Sequence, residues 1–136
     1  MDAIKAAAQY LTELRNTGRF GARLPESNRP ATLDDALKIQ DRMIRVYGHE
    51  VGGYKCSVPN AERTTIAPIF APTIVSSGPC YVRAATPTSG DTARIEPEIA
   101  FVLGRNLPPR ATPYSEAEVR AAIGEVRLVL ELLGCR

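Results

Sequence analysis

Glu96-Pro97-Glu98 holds two carboxylates two positions apart. On an extended strand such positions face the same side, so both acids address one volume. Like charges that close repel unless water, shared protons or a cation separates them. Carboxylate oxygens are the preferred ligands of hard divalent cations, so Mg²⁺ or Mn²⁺ is the chemistry to look for. A solvated strand face is the plain alternative. A third acid would strengthen the metal reading. Glu131 is the candidate, standing among Leu128, Leu130, Leu132 and Leu133. A lone carboxylate there is costly to bury unless it is paired or bound to metal. A helical turn or an exposed edge would instead send Glu131 to water.

Lys55 sits in Gly52-Gly-Tyr-Lys-Cys-Ser57, where two glycines let backbone or ligand come close. It could donate to a substrate carboxylate or, if desolvated, shuttle a proton; a surface lysine is the plain alternative. Arg94, Arg105 and Arg136 could bind an anion, although scattered arginines are expected in a chain with 17 basic residues. The single histidine, His49, follows a helix end, where a cationic ring suits the dipole. One histidine excludes a multi-histidine metal site and leaves no Ser-His-Asp arrangement to assemble. Cys56, Cys80 and Cys135 form no C-x-x-C pair, and an odd count argues against a disulfide framework or a zinc site. They read as small buried apolar residues. No phosphate-binding glycine loop is present.

These side chains are carried by 136 residues, 44% apolar, with 17 basic against 15 acidic groups. That is one domain's length, enough for a real core. The small net charge points neither to nucleic acid nor to a membrane surface. No apolar run is long enough to span a bilayer, and Met1–Leu14, with Asp2, Lys5 and Glu13, lacks the apolar block of a signal peptide. The cytosol is the expected compartment.

The spacing predicts a helix over Asp2–Thr17, with Ile4, Ala7, Ala8, Leu11 and Leu14 on one face and Gly18 and Gly21 ending it. A second begins at the N-cap Thr32 and stops at Gly48, with Leu33, Ala36, Leu37, Ile44 and Tyr47 as its apolar face and Gln40 as an interruption. Strands are expected at Val51–Ser57, Thr73–Ser76, Cys80–Ala84, Ala93–Leu103 and Val126–Leu133, and Val58–Thr73 reads as mostly loop with short extended pieces because of its prolines. Pro97 marks an edge or a bulge. Ser115-Glu-Ala-Glu118 is a capping box opening a short helix to about Glu125. The fold class is α+β: two N-terminal helices packed on a mixed, mostly antiparallel β-sheet. One partial domain is expected, helical over 1–48 and sheet-rich over 49–136. The finish at Gly134-Cys-Arg136, straight after the most apolar run, suggests part of a longer design.

Arg94-Ile-Glu-Pro-Glu-Ile-Ala-Phe-Val-Leu-Gly-Arg-Asn-Leu-Pro108 resembles the signature of the 2-keto-4-pentenoate hydratase and 2-oxo-acid decarboxylase group of the fumarylacetoacetate hydrolase superfamily. Gly52–Cys56 resembles its G-x-K-x-G motif, Ala67–Thr73 the segment of its P-x-[FY]-G turn, and Leu130–Arg136 its A-L-E-[IV]-[VI]-[DG]-S-R strand. The resemblance runs over nearly the whole chain. It implies the first half of that superfamily's β-roll, with Glu96, Glu98 and Glu131 holding one Mg²⁺ or Mn²⁺ and with Lys55 and Arg136 beside a small 2-oxo acid. The implied activity is a metal-dependent hydratase or lyase on a 2-oxo-enoic or 2-hydroxydienoic acid in aromatic-compound catabolism. A fumarylacetoacetate-hydrolase-like C–C hydrolase, a 2-oxo-acid decarboxylase and a catalytically silent or structural subunit are the alternatives. Association as a homo-oligomer or with a full-length paralogue is expected. The chain departs from the pattern at Ser57, where the motif has its second glycine, at Ile69, where the family often has an acid, at Ala71 and at Cys135.

Overall fold

The computed structural model describes residues 2–19, 21–58, 65–80 and 94–133. The chain forms two compact units, Met1–Tyr81 and Val82–Cys135. Among the described residues there are three α-helices and two antiparallel two-stranded sheets, so the class is α+β.

In the first unit, helix α1 spans Ala3–Thr17 and helix α2 spans Leu33–Tyr47. Their ends follow from local chemistry. The Asp2 carboxylate accepts from the Ile4 N–H at 3.2 Å and caps α1. The Thr32 hydroxyl accepts from the Asp35 N–H at 3.1 Å while the Asp35 carboxylate accepts from the Thr32 N–H at 3.2 Å, closing a capping box on α2. Gly18 and Gly48 end the two helices in the left-handed conformation, at φ 60° and 72°. The core is Ala7 and Ala8 of α1 against Ile39 of α2, flanked by Ile4, Leu11, Leu24 and Met43. The two alanines let the helices approach closely. The α2 face therefore differs from expectation: Ile39 and Met43 meet α1, while Leu33 and Leu37 are exposed.

Strand β1 (Val51–Cys56) pairs antiparallel with β2 (Ile66–Phe70), with a bulge between Val51 and Gly53. Phe70, 1% exposed, anchors this sheet. Tyr47 meets it edge-on at 4.6 Å between centroids, and the Arg15 guanidinium lies 4.8 Å from its ring. Gln40, read from the sequence as an interruption, donates to the Ile66 carbonyl at 3.0 Å and ties α2 to β2. The glycine at 52 is required by packing: a Cβ there would stand 2.7 Å from Ile74 Cδ1 and 3.1 Å from Ala71 Cα. The close neighbour is thus the chain itself.

Several strand expectations change. Ile66–Phe70 is a strand despite Pro68, because each strand of a two-stranded sheet has a free edge where a missing N–H costs no ladder bond. Thr73–Ser76 is not a strand: Ala71–Thr73 is a 3₁₀ turn, with the Thr73 hydroxyl donating to the Phe70 carbonyl at 2.8 Å. Of Cys80–Ala84, residues 81–84 lie outside the described residues. In place of one mixed sheet, the described strands form two separate sheets, since this turn and the Gly78-Pro79 bend end β2 without continuing the ladder. Cys56 and Cys80 are exposed free thiols, not buried ones; Cys56 has the outward parity of β1.

The second unit is built on a long ribbon. Strand β3 (Arg94–Leu103) pairs antiparallel with β4 (Ile123–Leu133), and helix α3 (Glu116–Ala122) leads directly into β4. The capping box of Ser115 and Glu118 forms as its residues predict, but the helix stops at Ala122 and β4 begins three residues before the expected Val126. At the turnaround a bulge between Val102 and Leu103 brings Gly104 and Gly124 together, and the Gly104 N–H donates to the Ala122 carbonyl at 2.8 Å. A Cβ on Gly124 would lie 3.0 Å from Gly104 Cα, so the crossing needs a residue without one. The loop before α3 is clamped by Arg110, which grips Glu118 with two hydrogen bonds of 2.8 Å and stacks 3.6 Å from the centre of the Tyr114 ring.

Candidate metal centre

The β3–β4 ladder fixes which side chains share a face. Glu96 stands directly opposite Glu131, and Glu98 opposite Val129. By the period of two, Glu96, Glu98 and Glu131 all project from one side of the ribbon. One carboxylate oxygen from each lies within 4.8 Å of the others, with Glu96 exposed and Glu98 and Glu131 half-buried. The structure thus brings the three glutamates together.

The leucines take a different place from the one their sequence proximity implies. Leu128, Leu130 and Leu132 pair with Ile99, Pro97 and Ile95, which is the opposite parity from Glu131. Of the four leucines only Leu133 shares the face of Glu131, which also carries Val129, Arg127 and the other two acids.

An ion coordinated at 2.0–2.1 Å requires its ligand oxygens to be about 3–4 Å apart, so side-chain rotations of order 1 Å bring three oxygens at the observed spacing into range. Like charges directly opposite on an antiparallel pair destabilise it. Farther along the same face, Arg127 donates to both oxygens of Glu125 at 2.8 and 2.6 Å. That hydrogen bonding holds the Glu125 carboxyl below its ordinary value and raises the Arg127 guanidinium. The sequence reading passed over this pair, although the two-residue spacing of Glu125 and Arg127 on a strand is its signal.

Lys55 is half-buried on β1 opposite Ala67 and belongs to the first unit, whereas the glutamates belong to the second. Neither β1 nor β2 carries a carboxylate, and Ile69 is partly exposed on β2. Arg136 lies outside the described residues. Arg105 donates to the Ala121 carbonyl at the end of α3. His49 is exposed and sits edge-on to Tyr47 at 4.5 Å. No helix among the described residues is long and apolar enough to cross a membrane. Compared with protein-family models, curated proteins and solved structures, the chain matches none of them.

Proposed function

We propose that the three glutamates hold one Mg²⁺ or Mn²⁺ and that the chain is the metal-binding portion of a cytosolic hydratase or lyase for a small 2-oxo-enoic or 2-hydroxydienoic acid. In this reading the β3–β4 ribbon belongs to a β-roll of the fumarylacetoacetate hydrolase kind. The observation that carries it is the convergence of Glu96, Glu98 and Glu131 on one face. The resemblance of the Glu-Pro-Glu strand to the hydratase and decarboxylase signature supplies the substrate class.

Glu96, Glu98 and Glu131 would hold the cation, which would supply Lewis-acid stabilisation of negative charge at the oxo oxygen of such an acid. The chain's own residues do the rest. Glu96, Glu98 and Glu131 present oxygens from a rigid paired ribbon, which fixes ligand geometry better than a loop would. The resemblance assigns Lys55 and Arg136 to the substrate carboxylate. Hydration, decarboxylation and C–C hydrolysis all draw on the same stabilised charge, so the metal ligands leave the choice among them open. A silent metal-binding subunit is a second reading, favoured by the lack of any carboxylate on β1 and β2 beside Lys55.

Calorimetric titration of Mn²⁺ with and without oxalate tests the proposal. The chain is expected to bind Mn²⁺, oxalate to tighten it, and Glu98→Gln to weaken it by at least about tenfold. Equal isotherms for the two proteins overturn the metal site. If the ion binds, product analysis on a panel of 2-oxo acids separates the lyase from the silent subunit.

A further inference from the structure

Along β4 the glutamate face of the ribbon runs Glu125, Arg127, Val129, Glu131. Among residues 95–133 Arg127 is the one cation on that face. The register sets Arg127 opposite Ala100 and Glu98 opposite Val129, so Arg127 and Glu98 are diagonal neighbours. Such positions lie about 7–8 Å apart, a gap that a long side chain closes. A guanidinium forks bidentately onto a carboxylate, and three carboxylates whose oxygens lie within 4.8 Å of one another stand on this side of Arg127. Yet its guanidinium bonds in the other direction. Its Nε and Nη2 donate to the two Glu125 oxygens at 2.8 and 2.6 Å. Glu125 stands opposite Val102, one step farther from the cluster. Both side chains of this pair are half exposed, so burial does not hold the guanidinium there; Glu125 does.

We propose that Glu125 is a positioning residue for the metal centre: it tethers Arg127 and so keeps the guanidinium from competing with a divalent cation for Glu98. This rests on the reading of Glu96, Glu98 and Glu131 as metal ligands. An arginine and an ion that use the same carboxylate exclude each other. The fork takes up the oxygens that would coordinate, and it sets a positive charge beside the ion. The two events are linked, so whatever Arg127 gains by bonding to Glu98 the ion loses. Glu125 also balances the charge of Arg127, which leaves the field over the cluster negative. In this arrangement one carboxylate of the face binds no metal and still sets how tightly the other three hold it.

Mn²⁺ titration of four proteins tests this: wild type, Glu125→Gln, Arg127→Gln and the double variant. Glu125→Gln is expected to weaken Mn²⁺ binding by roughly two- to fivefold, the range an exposed ion pair supports. Arg127→Gln does not weaken it. The double variant binds like Arg127→Gln, because without the arginine Glu125 has nothing to restrain. Equal weakening by Glu125→Gln with and without Arg127 overturns the proposal and makes Glu125 one more negative charge in the field. A second readout needs no metal. In the metal-free chain the carboxylate ¹³C resonance of Glu98 is expected to shift on Arg127→Gln in the Glu125→Gln background and to stay in place in the wild-type background. A resonance indifferent to Arg127 in both backgrounds overturns the positioning role. One that shifts equally in both does so too, since Arg127 then reaches Glu98 past Glu125. A wild-type chain that binds no Mn²⁺ while the Glu98 resonance behaves as expected overturns the metal reading and supports the tether.

Discussion

The first unit buries two large apolar side chains, Ile39 and Phe70, whereas among its described residues the second buries none. In the former, Ala7, Ala8, Ile39 and Phe70 are buried where two capped helices and a small sheet converge. In the latter, residues 95–133 bury only Ala122; the ribbon is a backbone ladder, and the Arg110 clamp holds the loop before α3. The difference separates two jobs. A small core of Ala7, Ala8 and Ile39, with Phe70 beneath its sheet, gives the first unit an interior, while the second puts its residues on two surfaces, one bearing the glutamates and one apolar.

The largest effect expected from breaking this contrast is at Phe70. Phe70→Ala removes the anchor beneath Tyr47 and Arg15 and is expected to cost about 3–5 kcal/mol in urea unfolding of the first unit. Mn²⁺ titration of the same variant sharpens the comparison: binding at the glutamates should survive under conditions where the variant remains folded. Parallel loss of both at low denaturant would show that the scaffold and the ribbon are one energetic unit.

A smaller loss is expected at the ribbon's turnaround. Gly124→Ala places a methyl 3.0 Å from the backbone of Gly104, and backbone yields less readily than a side chain. Thermal denaturation should register roughly 1–3 kcal/mol. An unchanged midpoint would mean that the close crossing carries no stability.

The smallest effect is a pH dependence. Hydrogen bonds from Arg110, and then from Ser115, hold the Glu118 carboxyl down to about 2 from its ordinary 4.5. A depressed native value means that the unfolded chain binds the proton more readily, so stability rises with pH across that window. The contribution is complete above about pH 4.5 and is lost as pH falls towards 2. Denaturation midpoints of wild type and Glu118→Gln should converge in acid and separate above that range. Curves that stay parallel throughout would remove Glu118 from the acid response.

Much of this was legible in the residues. Asp2, Thr32 and Ser115 announce the helix starts, because a side-chain oxygen there satisfies orphan N–H groups before any tertiary contact forms. The alternation along β3 set Glu96 and Glu98 on one face. Glu131 is another matter: its place opposite Glu96 depends on which residue of β4 pairs with which of β3, and one strand's periodicity does not contain that information. Its leucine neighbours singled it out and the resemblance tied it to the other two, but of those leucines only Leu133 shares its face. β2 was left as an unplaced extended piece because Pro68 acts as a breaker only where its N–H would be needed. The α2 face was misread because that helix has two partners: Ile39 turns to α1 and Gln40 to β2, so no single stripe describes it.

The antiparallel alignment that sets Glu96 across from Glu131 also has a genetic consequence. One residue inserted within Ile123–Leu130 would invert the phase of everything after it, sending Glu131 to the oily side and a leucine to the acidic one. Two inserted residues would restore the phase but displace the carboxylate by about 7 Å, beyond a shared ion. That segment of β4 therefore tolerates substitutions far better than changes of length.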